Sequence, residues 1–157
     1  MNSGTVRARQ AERADIPHLV ALMREFYAEA SYPLDDAWAT GAFEHLLGEP
    51  ALGAVWLVEE GDAPIGHVVL TIHFSMEFGG LCGTIDDLFV KPAYRRRGAG
   101  SAAIEAVIAE CRRRGCRALS VEVGTDNRAA QALYEKFGLV SIGHGRETLR
   151  AAIPNTR

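Results

Sequence analysis

The feature that most restricts this chain is a short loop, Arg95-Arg96-Arg97-Gly98-Ala99-Gly100-Ser101, set between an apolar run and an amphipathic one. Upstream, residues 82–90 read as a strand. Downstream, residues 98–114 put Ile104, Val107, Ile108 and Cys111 on one helical face. Glycines at such a junction let backbone N–H groups approach a ligand closely, and the helix N-terminus adds partial positive charge. With Lys91 and the arginines nearby, the loop has the makings of a pyrophosphate cradle. A nucleoside-triphosphatase loop is excluded, because no Gly-Lys-Ser/Thr follows. The run Gly98-Ala99-Gly100-Ser101-Ala102-Ala103 formally fits the dinucleotide fingerprint, with Glu122 at a tolerable distance for a ribose. That fingerprint wants its first glycine directly after the strand, and here Lys91 to Arg97 intervene.

The remaining pattern predicts a mixed α/β domain. A short strand is expected at 6–9. Ile16, Leu19, Val20, Met23 and Tyr27 then follow helical spacing behind Asp15 and Pro17. Residues 30–36, with Pro33 and two adjacent aspartates, read as a loop, and 37–47 as a second helix stopped by Gly48 and Pro50. Strands are expected at 54–59 and 65–74, with Gly79-Gly80 turning the chain into the strand at 82–90. Past the loop, 118–123 reads as a strand, 127–137 as a helix and 139–149 as a final strand. Hairpins followed by strand–helix–strand units make a mostly antiparallel sheet flanked by helices.

The 157 residues suit one domain, 1–157. No apolar run approaches the ~18–20 residues that span a bilayer. Residues 1–10 lack a signal-peptide pattern, so a cytoplasmic protein without a membrane partner is expected. Three cysteines, Cys82, Cys111 and Cys116, are neither paired nor clustered as metal ligands, so neither a disulfide framework nor a metal is expected. Charge is unevenly divided: residues 1–90 carry 4 basic and 14 acidic side chains, residues 91–157 carry 13 and 6. A nucleic-acid binder would be basic over its whole binding face. The split instead suits a phosphate-bearing ligand at the basic half and a cation at the acidic one, and no nucleic-acid partner is expected.

Two stretches in order carry a family resemblance. Arg95-x-x-Gly98-x-Gly100, directly after Ile85-Asp86-Asp87-Leu88-Phe89-Val90, resembles the acetyl-CoA loop of the GNAT superfamily of N-acetyltransferases. Asn127-x-x-Ala130-x-x-Leu133-Tyr134-x-x-x-Gly138-Leu139 resembles that superfamily's second motif, with Leu139 where Phe is more usual. The resemblance implies a GNAT-like acyltransferase fold, an acetyl-CoA-binding core at 84–140, an acceptor side at 1–83 and a final strand and tail at 141–157. The expected enzyme moves acetyl from acetyl-CoA to a small cationic amine by direct attack on the thioester, and a homodimer is expected. A protein or peptide N-acetyltransferase and a non-catalytic CoA-binding module remain the alternatives.

Residue roles follow from the same resemblance. Leu88, Phe89 and Val90 are expected to present free backbone groups to the pantetheine arm, one N–H stabilising the oxyanion. Arg95, Arg96, Arg97, Gly98, Ala99, Gly100 and Ser101 are expected at the pyrophosphate. Asn127 is expected on the cofactor's amide region while also capping its helix. Tyr134, seven residues on, is the expected general acid for the leaving thiolate and a further cofactor contact. Asp86 is the first candidate for general base, directly or through water; Glu122 is a further candidate, while Asp87 is expected to face away and brace the loop. Acceptor contacts are expected from Tyr27, Glu29, Tyr32 and Trp38, with Glu25, Asp35, Phe74 and Met76 as further candidates. His67 and His73 share a strand face and read as strand polarity. Cys82 has no activating neighbour in sequence.

Overall fold

Five strands form one sheet in chain order: β1 (Val6–Gln10), β2 (Gly53–Glu60), β3 (Ala63–Ser75), β4 (Gly80–Val90) and β5 (Leu119–Val121). The computed structural model describes residues 4–143 and 145–154. Neighbouring strands are antiparallel except β4 and β5, which are parallel because α3 (Ala99–Arg114) crosses between them. Helices α1 (Ile16–Glu29) and α2 (Asp36–Gly48) lie between β1 and β2, and α4 (Arg128–Glu135) follows β5.

Each helix covers the face its apolar stripe dictates. Leu19, Leu22, Met23 and Phe43 from α1 and α2 pack on Val55, Leu57, Val69 and Phe89. Ile104 and Val107 of α3, with Tyr134 of α4, pack on Trp56, Val58, Val68, Leu70 and Ile85 of the other face. Fully burying each such aliphatic side chain contributes about 1.5–3 kcal/mol. Truncating Leu70 or Ile104 to Ala should cost about 2–5 kcal/mol. Pro17 opens α1 where its missing N–H costs nothing. Asp35 caps α2 by accepting the Trp38 N–H at 2.8 Å.

Two irregularities in β4 set up everything that follows. Against β3, Val69 pairs with Asp87 but Leu70 pairs with Ile85, so Asp86 is an extra residue in a bulge. Ile85 therefore packs on the α3 face while Phe89 packs on the α1/α2 face. Against β5, pairing covers only Gly83, Thr84 and Ile85, opposite Leu119, Ser120 and Val121. Beyond Ile85 the two strands part.

The expected elements are present with three corrections. The strand at 118–123 ends early, at Val121. The turn before β4 occupies 76–79, with Gly79 at φ +64, and Gly80 already belongs to the strand. No strand forms in the described part of 139–149. Gly143 and Gly145 take φ values of +108 and +86, which interrupt extended backbone, and Val140, Ile142 and Leu149 are left exposed. Of the segment 141–157, His144 and residues 155–157 lie outside the described residues.

Candidate active site

The parting of β4 from β5 leaves Asp87 to Val90 paired on the β3 side alone. Alternation along the strand turns the Phe89 main chain to β3, its carbonyl against Gly66, which corrects the expectation for that residue. Leu88, and the N–H of Val90, hold main-chain groups free along the β5 side. Phe89 is buried, its ring 5.6 Å from that of Phe26.

At the end of β4 the basic loop turns into α3. Arg96 and Gly98 have left-handed φ values of +64 and +87, and Gly98 offers no side-chain cap to the first N–H groups of the helix. Those groups at Ala99, Gly100 and Ser101 suit an anion. A Cβ on Gly100 would lie 2.6 Å from Leu133 Cδ2, so glycine lets α3 and α4 approach. The arginine side chains, expected at the phosphates, are partly spent elsewhere. Arg95 donates through Nε to the Val90 carbonyl at 2.8 Å and through Nη2 to Glu29 at 2.6 Å. Arg97 reaches Glu60 at 3.5 Å. With Lys91 3.7 Å from Glu25, part of the charge split is neutralised between the two halves of the chain. Asp36 likewise pairs with Arg24.

Asn127 caps α4, its Oδ1 accepting the Ala130 N–H at 3.2 Å. Tyr134 is 7% exposed within the α3-side core, and burial pushes its phenol up to about 12. A cleft of about 480 Å³ opens between the C-terminal end of α1 and the start of α4, lined by Phe26, Glu29, Ala30, Asp126 and Asn127. Of the expected acceptor residues, Glu29 lines it. Tyr32 and Trp38 do not, standing 67% and 63% exposed. Phe74 and Met76 are exposed at the tip of the β3–β4 hairpin.

The bulge overturns the expected alternation of the two aspartates. Both act on the Tyr27 phenol, which burial and then the charges of Asp87 and Asp86 raise above its ordinary value. Asp86 is exposed; Asp87 is partly buried. Burial first, and the neighbouring Asp86 second, push Asp87 up to about 7. Sequence reasoning assigned Asp87 to bracing, because an alternating strand hides a bulge. The doubled aspartate itself was the available signal. Glu122, the other base candidate, sits just beyond β5 and accepts from Thr148 Oγ1 at 3.4 Å. Among the described residues no group of three or more His, Cys, Asp or Glu side chains is placed to hold a metal.

The acetyltransferase (GNAT) family model matches residues 18–139. The chain belongs to that family. It is an acetyl-CoA-dependent N-acetyltransferase, and the open β4 edge and uncapped glycine loop fit the acetyl-CoA that such an enzyme uses. It is similar to an uncharacterized N-acetyltransferase, YhfO, of Bacillus subtilis, at 30% identity over 84% of this chain and 86% of the relative. It is 27% identical to the thialysine N-epsilon-acetyltransferase of Bos taurus over 85% of this chain and 83% of that one. With the ribosomal protein bS18-alanine N-acetyltransferase of Escherichia coli it shares 44% identity over 35% of this chain and 37% of the relative. The crystal structure of integron cassette protein HFX_CASS3, from the mobile metagenome of Cole Harbour Salt Marsh, matches with a TM-score of 0.83 and 42% identity, over 95% and 91% of the two chains. No helix of the described residues is long and apolar enough to cross a membrane.

Proposed function

We propose that this acetyltransferase acetylates a small cationic amine by direct attack on the thioester, with Asp87 as general base and Tyr134 as general acid. The observation that carries this reading is the carboxyl of Asp87, held at about 7 beside Asp86. A base tuned near neutrality balances being ionised against pulling a proton from an ammonium group. Asp86, the first candidate on sequence grounds, keeps a role through its charge: it holds Asp87 up and adds to the attraction of a cationic acceptor. Asp126 adds an acidic group to the lining of the cleft, where Glu29 is paired with Arg95.

Bound acetyl-CoA supplies an activated acetyl carbonyl and a thiolate leaving group. Backbone groups of Leu88 and Val90 would hold the pantetheine arm, with Phe89 turned to β3 between them, and main-chain N–H groups of 96–101 would hold the pyrophosphate. Asn127 keeps its side-chain N–H₂ for the cofactor while its oxygen caps α4. Tyr134 Oη, a phenol that burial raises to about 12, holds its proton at neutral pH and would deliver it to the leaving sulfur. Cys82 is buried on β4, and direct transfer leaves it without a catalytic role.

The relatives support two acceptor classes, a small amine and an alanine of a ribosomal protein. The test is an acetyl-CoA-dependent rate panel of a diamine, a neutral-tailed monoamine, an aminoglycoside and a peptide with N-terminal alanine. The diamine is expected to give the highest kcat/KM. A peptide that outruns every small amine gives the protein-acetyltransferase reading instead.

A further inference from the structure

The last turn of α3 carries chemistry that the transfer reaction does not use. The helix stops at Gly115, whose φ of +73 turns the chain back so that the Cys116 N–H donates to the Cys111 carbonyl at 2.8 Å. That closure brings the side chains at its two ends together, where an apolar pair ordinarily sits. Here both are thiols, and Cys116 packs against the apolar cluster that contains Cys111. Cys111 is buried against Gly83, where a Cβ would come within 2.9 Å of its sulfur. Burial, and then Cys116, push its thiol up to about 12, so it is unreactive alone. Cys116 is only partly buried, and solvent reaches it first. Cys82, the third thiol, faces the Gly80 carbonyl at 4.0 Å.

We propose that Cys111 and Cys116 are an oxidisable dithiol that hydroperoxides close into a disulfide within one chain. The Cys116 thiolate attacks one peroxide oxygen. The O–O bond breaks, hydroxide leaves and takes up a proton as water, and Cys116 becomes a sulfenic acid. The Cys111 sulfur then attacks that of Cys116. The S–S bond forms, the S–O bond breaks, and the hydroxyl departs with the Cys111 proton as a second water. Two thiols are oxidised and one hydrogen peroxide is reduced. The new bond repeats covalently a closure that the backbone already makes, so α3 need not unwind. It forms behind the junction of β4 and β5, where Gly83 donates to the Ala118 carbonyl at 2.9 Å.

The wild-type chain should be treated with hydrogen peroxide, alkylated and mapped by mass spectrometry. The expected result is a loss of two hydrogens in the fragment joining Cys111 to Cys116, with Cys82 still alkylated and both thiols restored by dithiothreitol. Cys116→Ser, at the same peroxide dose, should leave Cys111 reduced. Oxygen gained on Cys116 beside an intact Cys111 thiol, a disulfide between two chains, or oxidised Cys111 in the Cys116→Ser variant would overturn the proposal.

Discussion

Glu59 and Asp87 are both carboxylates drawn into the same sheet, and their surroundings send them in opposite directions. Glu59 on β2 accepts from Arg7 at 3.1 Å and from Arg9 at 2.9 Å, and Arg9 also grips Asp15. The hydrogen bond from Arg9 outweighs burial and lowers the Glu59 pKa. At Asp87 burial acts beside another aspartate, and the pKa rises to about 7. One acid stitches β1 to β2; the other stays poised between two charge states. The difference teaches that burial raises a carboxylate's pKa unless a hydrogen-bonded cation outweighs it, as Arg9 does at Glu59.

The largest expected effect separates the two acids by activity. Asp87→Asn should lower kcat about 10²–10⁴-fold with cofactor affinity kept, and Tyr134→Phe should do the same. Glu59→Gln should leave kcat unchanged. An active, folded Asp87→Asn enzyme would return that residue to a structural role. Stability should rank them the other way: Glu59→Gln is expected to cost about 1–3 kcal/mol in chemical denaturation, since charged hydrogen bonds are lost near a buried site. Asp87→Asn should cost nothing at pH 8.

Acid and base titration sharpen the contrast. The lowered pKa of Glu59 gives stability that is present above its unfolded pKa and lost as pH falls. Asp87, raised in the folded state, gives stability that is full below its unfolded pKa and lost as pH rises through about 7. Denaturation series at several pH values on the wild type and the two variants should show these opposite slopes in the difference between wild type and each variant. The rate, needing ionised Asp87, should climb through about pH 7. In Asp86→Asn that limb should move acidward, because one neighbouring charge is gone. A limb that stays put would remove Asp86 from the site.

The smallest effect concerns steering. A polycationic acceptor should lose part of its advantage over a neutral-tailed monoamine as salt rises, since the screening length falls to ~8 Å at physiological ionic strength. Asp35→Asn with Asp36→Asn should change this only slightly, because Asp35 caps α2 and Asp36 already pairs with Arg24. Equal preference at low salt would leave the acidic lining without a role in capture.

Much of this was legible in the chain. Helices α1, α2, α3 and α4 announce themselves by apolar spacing and by Pro17, Gly48, Gly115 and Asn127 at their ends, all local signals. The glycine loop and the Asn127–Tyr134 spacing carried the family resemblance, which the family model over 18–139 bears out. The expected strand at 139–149 was not reliable, because apolar residues alone do not make a ladder when Gly143 and Gly145 bend the backbone.

By itself the sequence determined the order of elements, their caps and the family motifs, since these depend on residues a few positions apart. Tertiary structure alone decided the ionisation of Asp87, the spending of Arg95 on Glu29, the burial of His67 between Phe43 and Phe89 and the pairing of two thiols behind β4. Each of those is a balance of desolvation against whichever charge or dipole a distant element brings within a few ångströms. That balance has no value until the sheet has closed around it.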